Sequence, residues 1–236
     1  KFGAKTRSVV SCEALARWRC GDGVITPDKF IGLFEENGFI LKLDFYMFEL
    51  VCKTLREYIR GGIDPVPVAV NFSQIHIYEP DFPERLMEII TRYQIPPSYI
   101  EIEFTETAMS SDVALSVQTI QQLKQRGFTV AMDDFGSGYS NFRYLTEMRP
   151  DIIKIDRMFT ANAMTHEFDY RQLVLFSEMV HSLNLSLCIE GTETKEELQR
   201  VSEMVPEYIQ GYYFGRPCEK RAFERLIANQ EHEIEK

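Results

Sequence analysis

Residues 100–134 read IEIEFTETAMSSDVALSVQTIQQLKQRGFTVAMDD, and this stretch contains the unit from which the rest of the chain is built. It opens with a short apolar run at residues 100–104 and closes with a second run at residues 128–132. Between the runs lies an apolar stripe with the i, i+4, i+7, i+10 spacing of one helix face, formed by Val113, Val117, Ile120 and Leu123. A strand, a helix and a second strand in this order predict two parallel strands joined by a crossover helix.

The same alternation of strand and helix continues along the chain in both directions. Further apolar, β-rich runs occur at residues 9–15, 66–72, 152–155, 185–189 and, weakly, 208–209. Helical patterns lie between them at residues 43–59, 173–183 and 198–205, and the first of these stops at Gly61-Gly62. We therefore predict an α/β fold with a mainly parallel sheet, in which a barrel is modestly favoured over a doubly wound sheet.

Composition is ordinary for a globular domain and argues against one class of partner. The 236 residues contain no Pro-rich or low-complexity linker, so we predict a single domain over residues 1–228 and a solvated tail at residues 229–236. With 36 acidic and 26 basic residues the formal net charge is −10, which argues against a groove that binds a DNA or RNA polymer. The five cysteines form no CxxC pair, which indicates free thiols in a reducing compartment.

Polar side chains follow almost every predicted strand, and most of them are carboxylates. In chain order they are Glu13, Arg17, Asn71, Glu101, Glu103, Glu106, Asp133, Asp134, Lys154, Asp156, Glu190, Glu193 and Gln210. In α/β barrels the catalytic groups come from the carboxyl ends of several strands. Any one of these acids alone is most simply a solvated carboxylate or a helix cap, but chance alignment across six strand ends is a much weaker explanation.

A metal site is the chemistry that such a set of acids favours. Carboxylates that converge in one pocket repel one another and raise each other's pKa values, and a bound cation relieves this repulsion. The set has oxygen ligands and no histidine, which favours Mg²⁺ or Mn²⁺ over zinc. The adjacent Asp133 and Asp134 are suited to bridging and flanking two such ions. Two ions clamp the attacking and leaving oxygens of a phosphoryl displacement, so the strand ends predict a metal-dependent phosphate-ester hydrolase.

The loop at residues 134–140, DFGSGYS, lies next to these acids. Gly136 and Gly138 permit positive φ angles and close backbone approach, so the loop is either a mobile cover for the site or a tight turn from strand to helix. The four histidines stand at no strand end, and we interpret them as surface or core residues. Core packing, ahead of a nucleobase platform or a dimer contact, is the first interpretation of the aromatic residues Phe34, Phe39, Phe45, Tyr46 and Phe48.

The polar strand ends belong to longer motifs that occur in a fixed order. These motifs are Glu13-Ala14-Leu15-Ala16-Arg17-Trp18, Asn71-Phe72-Ser73, Glu103-Phe104-Thr105-Glu106, residues 133–140, Lys154-Ile155-Asp156, Glu190-Gly191 with Glu193, and Gln210-Gly211-Tyr212. Together with Thr26-Pro27, Phe30-Ile31 and residues 35–38, the set resembles the EAL domains, a family of bacterial cyclic-di-GMP phosphodiesterases. The resemblance extends from residue 8 to about residue 217.

The resemblance implies a fold, a reaction and a set of metal ligands. The fold is a modified TIM (β/α)8 barrel whose first strand runs antiparallel to the others. The reaction is hydrolysis of one phosphodiester bond of cyclic-di-GMP to linear pGpG, with Mg²⁺ or Mn²⁺, two ions in all. By their positions in the motifs, one ion is expected on Glu13, Asn71, Glu103 and Asp133, and the second on Asp133 and Asp134 with Glu190, directly or through water.

Other motif residues are expected to act on water and substrate. Lys154 would orient the attacking water and steady the developing charge. Glu190 is also a candidate proton acceptor, and Gln210 would help to position water or ligand. Arg17 and Leu15 are expected to bind the substrate, Arg17 through a phosphate.

Glu106 is expected to anchor the loop at residues 134–140, which in the family borders a common dimer interface. The resemblance thus implies a homodimer through the region near this loop. It also implies an upstream sensory or GGDEF-type domain in a longer protein, since Lys1 does not look like a natural start. The domain itself is expected in the cytoplasm, while a full-length protein attached to a membrane is compatible with the sequence.

The chain departs from the family pattern at a few positions. Thr192 stands where the family usually has Val, and Gly32 stands where it usually has Pro. Neither change removes a metal ligand. A Gln-Pro pair normally lies just upstream of the position matching Phe2 and is absent here, so we predict a truncated first strand or a barrel with an open seam.

Two alternative functions remain open from the sequence. One is a module that binds cyclic-di-GMP or another protein without turnover, but such family members typically lack a metal ligand or the loop, and every matching ligand is present here. The other is a metal-dependent barrel that acts on a different phosphate ester.

Overall fold

The computed structural model describes residues 1–21, 23–110, 112–136 and 142–234. The chain divides into two units. The central unit consists of residues 13–152, and the terminal unit consists of residues 1–12 together with residues 153–236. Both units contain the alternation of strand and helix that the sequence predicts.

Strands and helices follow one another along most of the chain. The strands are β1 (Phe2–Gly3), β2 (Cys12–Ala14), β3 (Trp18–Cys20), β4 (Gly23–Ile25), β5 (Val68–Asn71), β6 (Ile100–Thr105), β7 (Thr129–Phe135), β8 (Ile152–Ile155), β9 (Ser186–Ile189) and β10 (Tyr208–Ile209). The helices are α1 (Ile31–Glu36), α2 (Ile40–Arg60), α3 (Phe82–Tyr93), α4 (Glu106–Ser110), α5 (Val113–Gln125), α6 (Phe142–Met148), α7 (Arg157–Thr165), α8 (Glu167–Ser182), α9 (Lys195–Ser202) and α10 (Lys220–Ile234). Short 3-10 turns lie at Pro27–Lys29, Gln74–Tyr78 and Pro97–Tyr99. Within the described ranges, no helix combines the length and the apolar character that a membrane span requires.

In the central unit, the strands lie in the order β7, β6, β5, β2. β5 runs parallel to β6 with Asn71 opposite Glu103, and β6 runs parallel to β7 with Thr105 opposite Asp133. The crossover predicted for residues 100–134 is confirmed, because α5 connects these two parallel strands through residues 113–125. Parallel strands end at the same edge of a sheet, so the register brings Asn71, Glu103 and Asp133 to neighbouring strand ends.

Strand β6 is buried from Ile100 to Phe104, which is typical of a parallel strand covered on both faces. Two of its buried residues are acids, because Glu101 is 3% exposed and Glu103 is 0% exposed. A buried carboxylate needs a partner that compensates its lost hydration. The carboxylates of Glu101 and Glu103 therefore need polar partners inside an otherwise apolar layer.

Helix α2 packs one apolar face into the central unit and ends at the predicted glycines. Its cap is Gly61, and Gly62 has the left-handed φ of 74° that glycine tolerates best. The buried residues of the helix are Ile40, Asp44, Phe48, Val51, Cys52, Leu55 and Tyr58. One position of this apolar face is thus occupied by a carboxylate, Asp44.

In the terminal unit, β1 pairs antiparallel with β10, and β10 pairs parallel with β9. The register places Phe2 opposite Ile209 and Tyr208 opposite Cys188. Helix α8 packs its predicted stripe inward, since Leu173, Phe176 and Val180 are buried. Helix α10 continues to Ile234, and the predicted domain boundary at residue 228 stays a prediction.

Some sequence predictions for local structure were wrong. The stripe at residues 198–205 is shorter than predicted, because α9 ends at Ser202 and Val205 is 58% exposed with a φ of 52°. Val205 precedes a proline, and that position disfavours helical backbone. Core packing holds for Phe48, which is fully buried, but not for Phe39 and Tyr46, which are 45% and 64% exposed.

Candidate active site

Three carboxylates meet at the strand ends of the central unit. Glu13 is the middle residue of β2, Glu103 lies in β6 and Asp133 lies in β7. Each of the three residues offers one carboxylate oxygen, and these three oxygens lie within 4.8 Å of one another. Glu103 is 0% exposed and Asp133 is 8% exposed, while Glu13 is half-buried. The sequence prediction that acids from different strands converge is therefore correct for these three residues.

Asn71 completes this cluster from the end of β5. Its side-chain amide nitrogen Nδ2 donates a hydrogen bond of 2.8 Å to Oε1 of Glu13. This bond orients the amide group, and the carbonyl oxygen Oδ1 is then the atom of Asn71 suited to bind a cation. We call Glu13, Asn71, Glu103 and Asp133 the strand-end cluster.

The donor set of the strand-end cluster fits a hard divalent cation. Three carboxylates at this spacing repel one another when ionised, and burial strengthens the repulsion. A cation coordinated at roughly 2.0–2.6 Å by each oxygen is compatible with mutual oxygen distances below 4.8 Å. Oxygen-only ligands are those that Mg²⁺ and Mn²⁺ prefer.

Asp134 is held in a strained backbone conformation beside this cluster. Its φ is 55°, a left-handed value that costs free energy for a residue with a side chain. Its own N–H donates to Oδ1 of Asp133 at 2.9 Å. The side chain of Asp134 is not part of the three-carboxylate group found among the described residues, although it is adjacent in the chain.

Glu106 contacts the first part of the loop at residues 134–140, which it was predicted to anchor. Oε2 of Glu106 accepts a hydrogen bond of 3.3 Å from the backbone N–H of Gly136, and Glu106 is 5% exposed. Residues 137–140 of this loop lie outside the described residues, and so does the dimer contact predicted there. The anchoring role remains a prediction beyond Gly136.

The terminal unit brings together two further predicted residues. Lys154 on β8 is 1% exposed, and its Nζ lies 3.0 Å from Oε1 of Glu190, just after β9. An ammonium group buried this far from water requires such a carboxylate. The N–H of Glu190 donates to the carbonyl of Ile155 at 3.3 Å, which fixes the backbone of this residue to β8.

Gln210 lies in a loop that is interlocked with the one after Glu190. Its N–H donates to the carbonyl of Ile189 at 2.9 Å, and its own carbonyl accepts from the N–H of Thr192 at 3.3 Å. Gly211 permits this approach, because a Cβ there would overlap the backbone of Thr192. The loop that carries Glu190 and the loop that carries Gln210 are thus held together by backbone bonds.

Leu15 and Arg17 lie at the surface, after β2. Leu15 is 41% exposed, and Nη1 of Arg17 donates to the carbonyl of Ala16 at 2.7 Å. Their exposure is compatible with the predicted contact to a ligand, and that contact stays a prediction.

One buried polar group, in the 3-10 turn that follows β5, lies outside the polar strand ends that the sequence predicts. His76 is 0% exposed and contacts Asp44 and Glu79. A signal for it was available, because Asp44 falls on the buried apolar stripe of α2, where a lone carboxylate needs a partner.

The strand-end cluster, the Lys154–Glu190 pair and the interlocked loops correspond in order to the motifs of one family. The sequence model of the EAL domain matches residues 2–217. The chain belongs to the EAL family.

Curated relatives of this EAL domain include two phosphodiesterases of Pseudomonas aeruginosa. It is 31% identical over 216 residues to the cyclic di-GMP phosphodiesterase NbdA, covering 91% of this chain and 28% of NbdA. It is also 31% identical over 216 residues to the cyclic di-GMP phosphodiesterase RocR, covering 91% of this chain and 55% of RocR. The chain therefore spans only part of the length of these relatives.

A solved structure extends the similarity to the fold. The phosphodiesterase PaMucR in complex with c-di-GMP matches this EAL domain with a TM-score of 0.88 and 27% identity, covering 94% of this chain and 90% of that one. The fold is thus that of the EAL domains, an α/β modified TIM barrel, and the predicted fold class is confirmed. The predicted antiparallel first strand is confirmed by the pairing of β1 with β10.

Proposed function

We propose that this EAL domain is a phosphodiesterase that hydrolyses c-di-GMP to linear pGpG with the help of two Mg²⁺ or Mn²⁺ ions. The observation that carries the proposal is the strand-end cluster, in which oxygens of Glu13, Glu103 and Asp133 lie within 4.8 Å of one another. The substrate is supported by NbdA and RocR, both named cyclic di-GMP phosphodiesterases, and by the c-di-GMP complex of PaMucR.

The ligands we propose are those that the resemblance implies, and three of them are the carboxylates that lie together in the structure. Glu13, Asn71, Glu103 and Asp133 would hold one ion, and Asp133 and Asp134 would contribute to a second. Glu190 is proposed as a further ligand of the second ion, directly or through water. When bound, such ions lower the pKa of a coordinated water and offset the charge of the phosphodiester.

Lys154 and Glu190 are proposed to act on the attacking water. Nζ of Lys154 forms an ion pair with Glu190, 3.0 Å from its Oε1, and this attraction orients the carboxylate. A fixed carboxylate can accept the proton that water loses as it attacks phosphorus. The buried ammonium adds positive charge where negative charge develops on the phosphate. Gln210 is proposed to position water or ligand, and Arg17 and Leu15 to contact the substrate.

The proposal includes partners that lie beyond this chain. We propose a homodimer through the region near residues 134–140 and an upstream sensory or GGDEF-type domain, since relatives such as NbdA are longer than the chain. The cytoplasmic location predicted for the domain is part of the same proposal.

The test is hydrolysis of c-di-GMP by the purified protein. We expect pGpG to form with Mg²⁺ or Mn²⁺ and not with excess chelator, as measured by ion-exchange chromatography of the nucleotides. The isosteric variant Glu103→Gln should lose activity because it removes one carboxylate from the cluster. Binding of c-di-GMP with no pGpG in either metal would overturn the proposal in favour of a binding module without turnover.

A further inference from the structure

A buried histidine lies between two acidic side chains next to the end of β5. The imidazole of His76 is fully buried, with Nε2 3.1 Å from Oδ2 of Asp44 and Nδ1 3.0 Å from Oε2 of Glu79. Asp44 is 7% exposed, and the Glu79 side chain is 26% exposed. Arg85 supports Glu79 from the solvent side, with Nη1 3.5 Å from the same oxygen.

Both ring nitrogens of the imidazole have a polar partner. Each nitrogen of His76 faces a carboxylate oxygen at hydrogen-bond distance, one from Asp44 and one from Glu79. The ring is therefore fixed at both of its polar atoms, as a buried polar side chain requires.

Burying acidic side chains in such a group costs free energy, because they lose their hydration. Replacing buried ion pairs by well-packed apolar residues is often neutral or stabilising, so stability alone is a weak reason for the arrangement. Apolar partners are close at hand, because Phe45 and Phe82 lie with ring centroids 5.1 Å and 4.9 Å from the His76 ring. The polar side chains at this position therefore point to a requirement for directed hydrogen bonds.

A hydrogen bond accepted by Asp44 connects this group to the backbone beside the strand-end cluster. Oδ2 of Asp44 also accepts the backbone N–H of Ser73 at 2.9 Å, two residues after Asn71. The residue between them, Phe72, donates its N–H to the carbonyl of Glu103 at 2.9 Å. The backbone that follows Asn71 is thus attached to β6 at Phe72 and to α2 at Ser73.

We propose that Asp44 and His76 are positioning residues for the metal site. His76 holds the carboxylate of Asp44, and Asp44 holds Ser73. This fixes the direction in which Asn71 presents its amide to Glu13, 2.8 Å away. The inference rests on the proposed metal-dependent function, since it assigns these residues to the same site. Groups that orient metal ligands without touching the metal typically change its affinity by about 10–100-fold.

The experiment measures Mn²⁺ affinity by calorimetry on metal-stripped protein, well below the unfolding temperature. We expect Asp44→Ala to weaken Mn²⁺ binding by about 10–100-fold. Asp44→Asn keeps an oxygen acceptor for Ser73, and we expect a smaller loss. Amide hydrogen exchange at Ser73 in the metal-free protein should accelerate in the same order. Hydrolysis by the Asp44 variants should recover as Mn²⁺ is raised, since the loss is one of metal affinity.

A matched control separates positioning from general stability. Tyr170→Phe removes the bond of 2.6 Å from the Tyr170 hydroxyl to Glu203 in the terminal unit, and it should lower stability while leaving Mn²⁺ affinity unchanged. Asp44 variants that unfold at lower temperature but bind Mn²⁺ within about twofold of the parent would overturn the inference, and so would a parent protein that binds no divalent ion. If Asp44→Ala does not fold, Asp44→Asn and His76→Gln decide the matter by the same measurement. A parent that binds Mn²⁺ but does not hydrolyse c-di-GMP would overturn the proposed reaction and leave this inference intact.

Discussion

Replacing Thr192 by valine should make the protein more stable. Thr192 is 0% exposed, and within the described part of the chain its hydroxyl oxygen has no hydrogen-bond partner. Burying a hydroxyl without a partner costs about 1–3 kcal/mol relative to water. Valine has nearly the same shape and replaces the hydroxyl by a methyl group that burial favours. The backbone bonds of residue 192, to Gln210 and Tyr213, do not involve the side chain and stay in place.

We therefore expect Thr192→Val to raise the free energy of unfolding by about 1–3 kcal/mol. In a protein of this size that corresponds to roughly 2–4 °C in melting temperature for each kcal/mol. The assay is chemical and thermal denaturation followed by circular dichroism, on metal-free protein so that ligand binding does not contribute.

The matched control is a buried threonine whose hydroxyl does have a partner. Thr160 is 1% exposed, and its Oγ1 donates to the carbonyl of Asp156 at 3.3 Å. Thr160→Val should lower stability by about 1 kcal/mol, because the carbonyl loses a hydrogen bond. Equal destabilisation by both substitutions would refute the reasoning, since it would mean that the Thr192 hydroxyl is as well satisfied as that of Thr160.

Three further predictions concern backbone strain, thiols and a close contact. Asp134→Gly should be more stable than Asp134→Ala by about 1 kcal/mol in metal-free denaturation, since the φ of 55° suits glycine, and equal stabilities would show that the strain is absent. Burial raises the pKa of the Cys188 thiol to about 12. At pH 8, iodoacetamide should therefore label the exposed Cys218 and spare Cys188 in the native protein, as measured by mass spectrometry. Early labelling of Cys188 would contradict its burial. Gly211→Ala should destabilise by several kcal/mol because its methyl group would overlap a backbone carbonyl of the neighbouring loop, whereas Gly215→Ala meets nothing within 4 Å; similar melting temperatures for the two variants would exclude the contact.

The convergence of acids could be predicted from the sequence because it depends on local patterns and one general rule. The strands that carry Asn71, Glu103 and Asp133 at or near their carboxyl ends are visible as apolar runs. Parallel strands end at one edge, so the side chains after them must be neighbours. Neighbouring carboxylates of this kind predict phosphate-ester chemistry with a divalent metal. The proposed substrate is implied by the resemblance to EAL domains, since a set of carboxylates does not specify which phosphate ester is bound.

The parts that could not be predicted depend on contacts between distant segments. The burial of His76 follows from its approach to Asp44, 32 positions away in the chain, so the signal for it lies in the apolar stripe of α2 and not around His76 itself. Similarly, the exposure of Phe39, which caps α2, and of Tyr46 within it depends on which face of this helix the rest of the central unit covers. The left-handed backbone of Asp134 is a local feature. However, aspartate occurs in many backbone conformations, so its presence in a sequence predicts a positive φ less strongly than glycine does.

The pairing of Asn71 with Glu103 has a consequence for how the sheet forms. Side chains of a strand alternate between its two faces, so a slip of one residue between β5 and β6 would turn Glu103 away and present Ile102 or Phe104 in its place. A cation that needs oxygens from β2, β6 and β7 together can bind only the chain in which all these strands are correctly aligned. Its binding free energy is thus available to the native alignment and to no slipped one. In this EAL domain the strand-end cluster would then select among alignments during folding, before any substrate is bound.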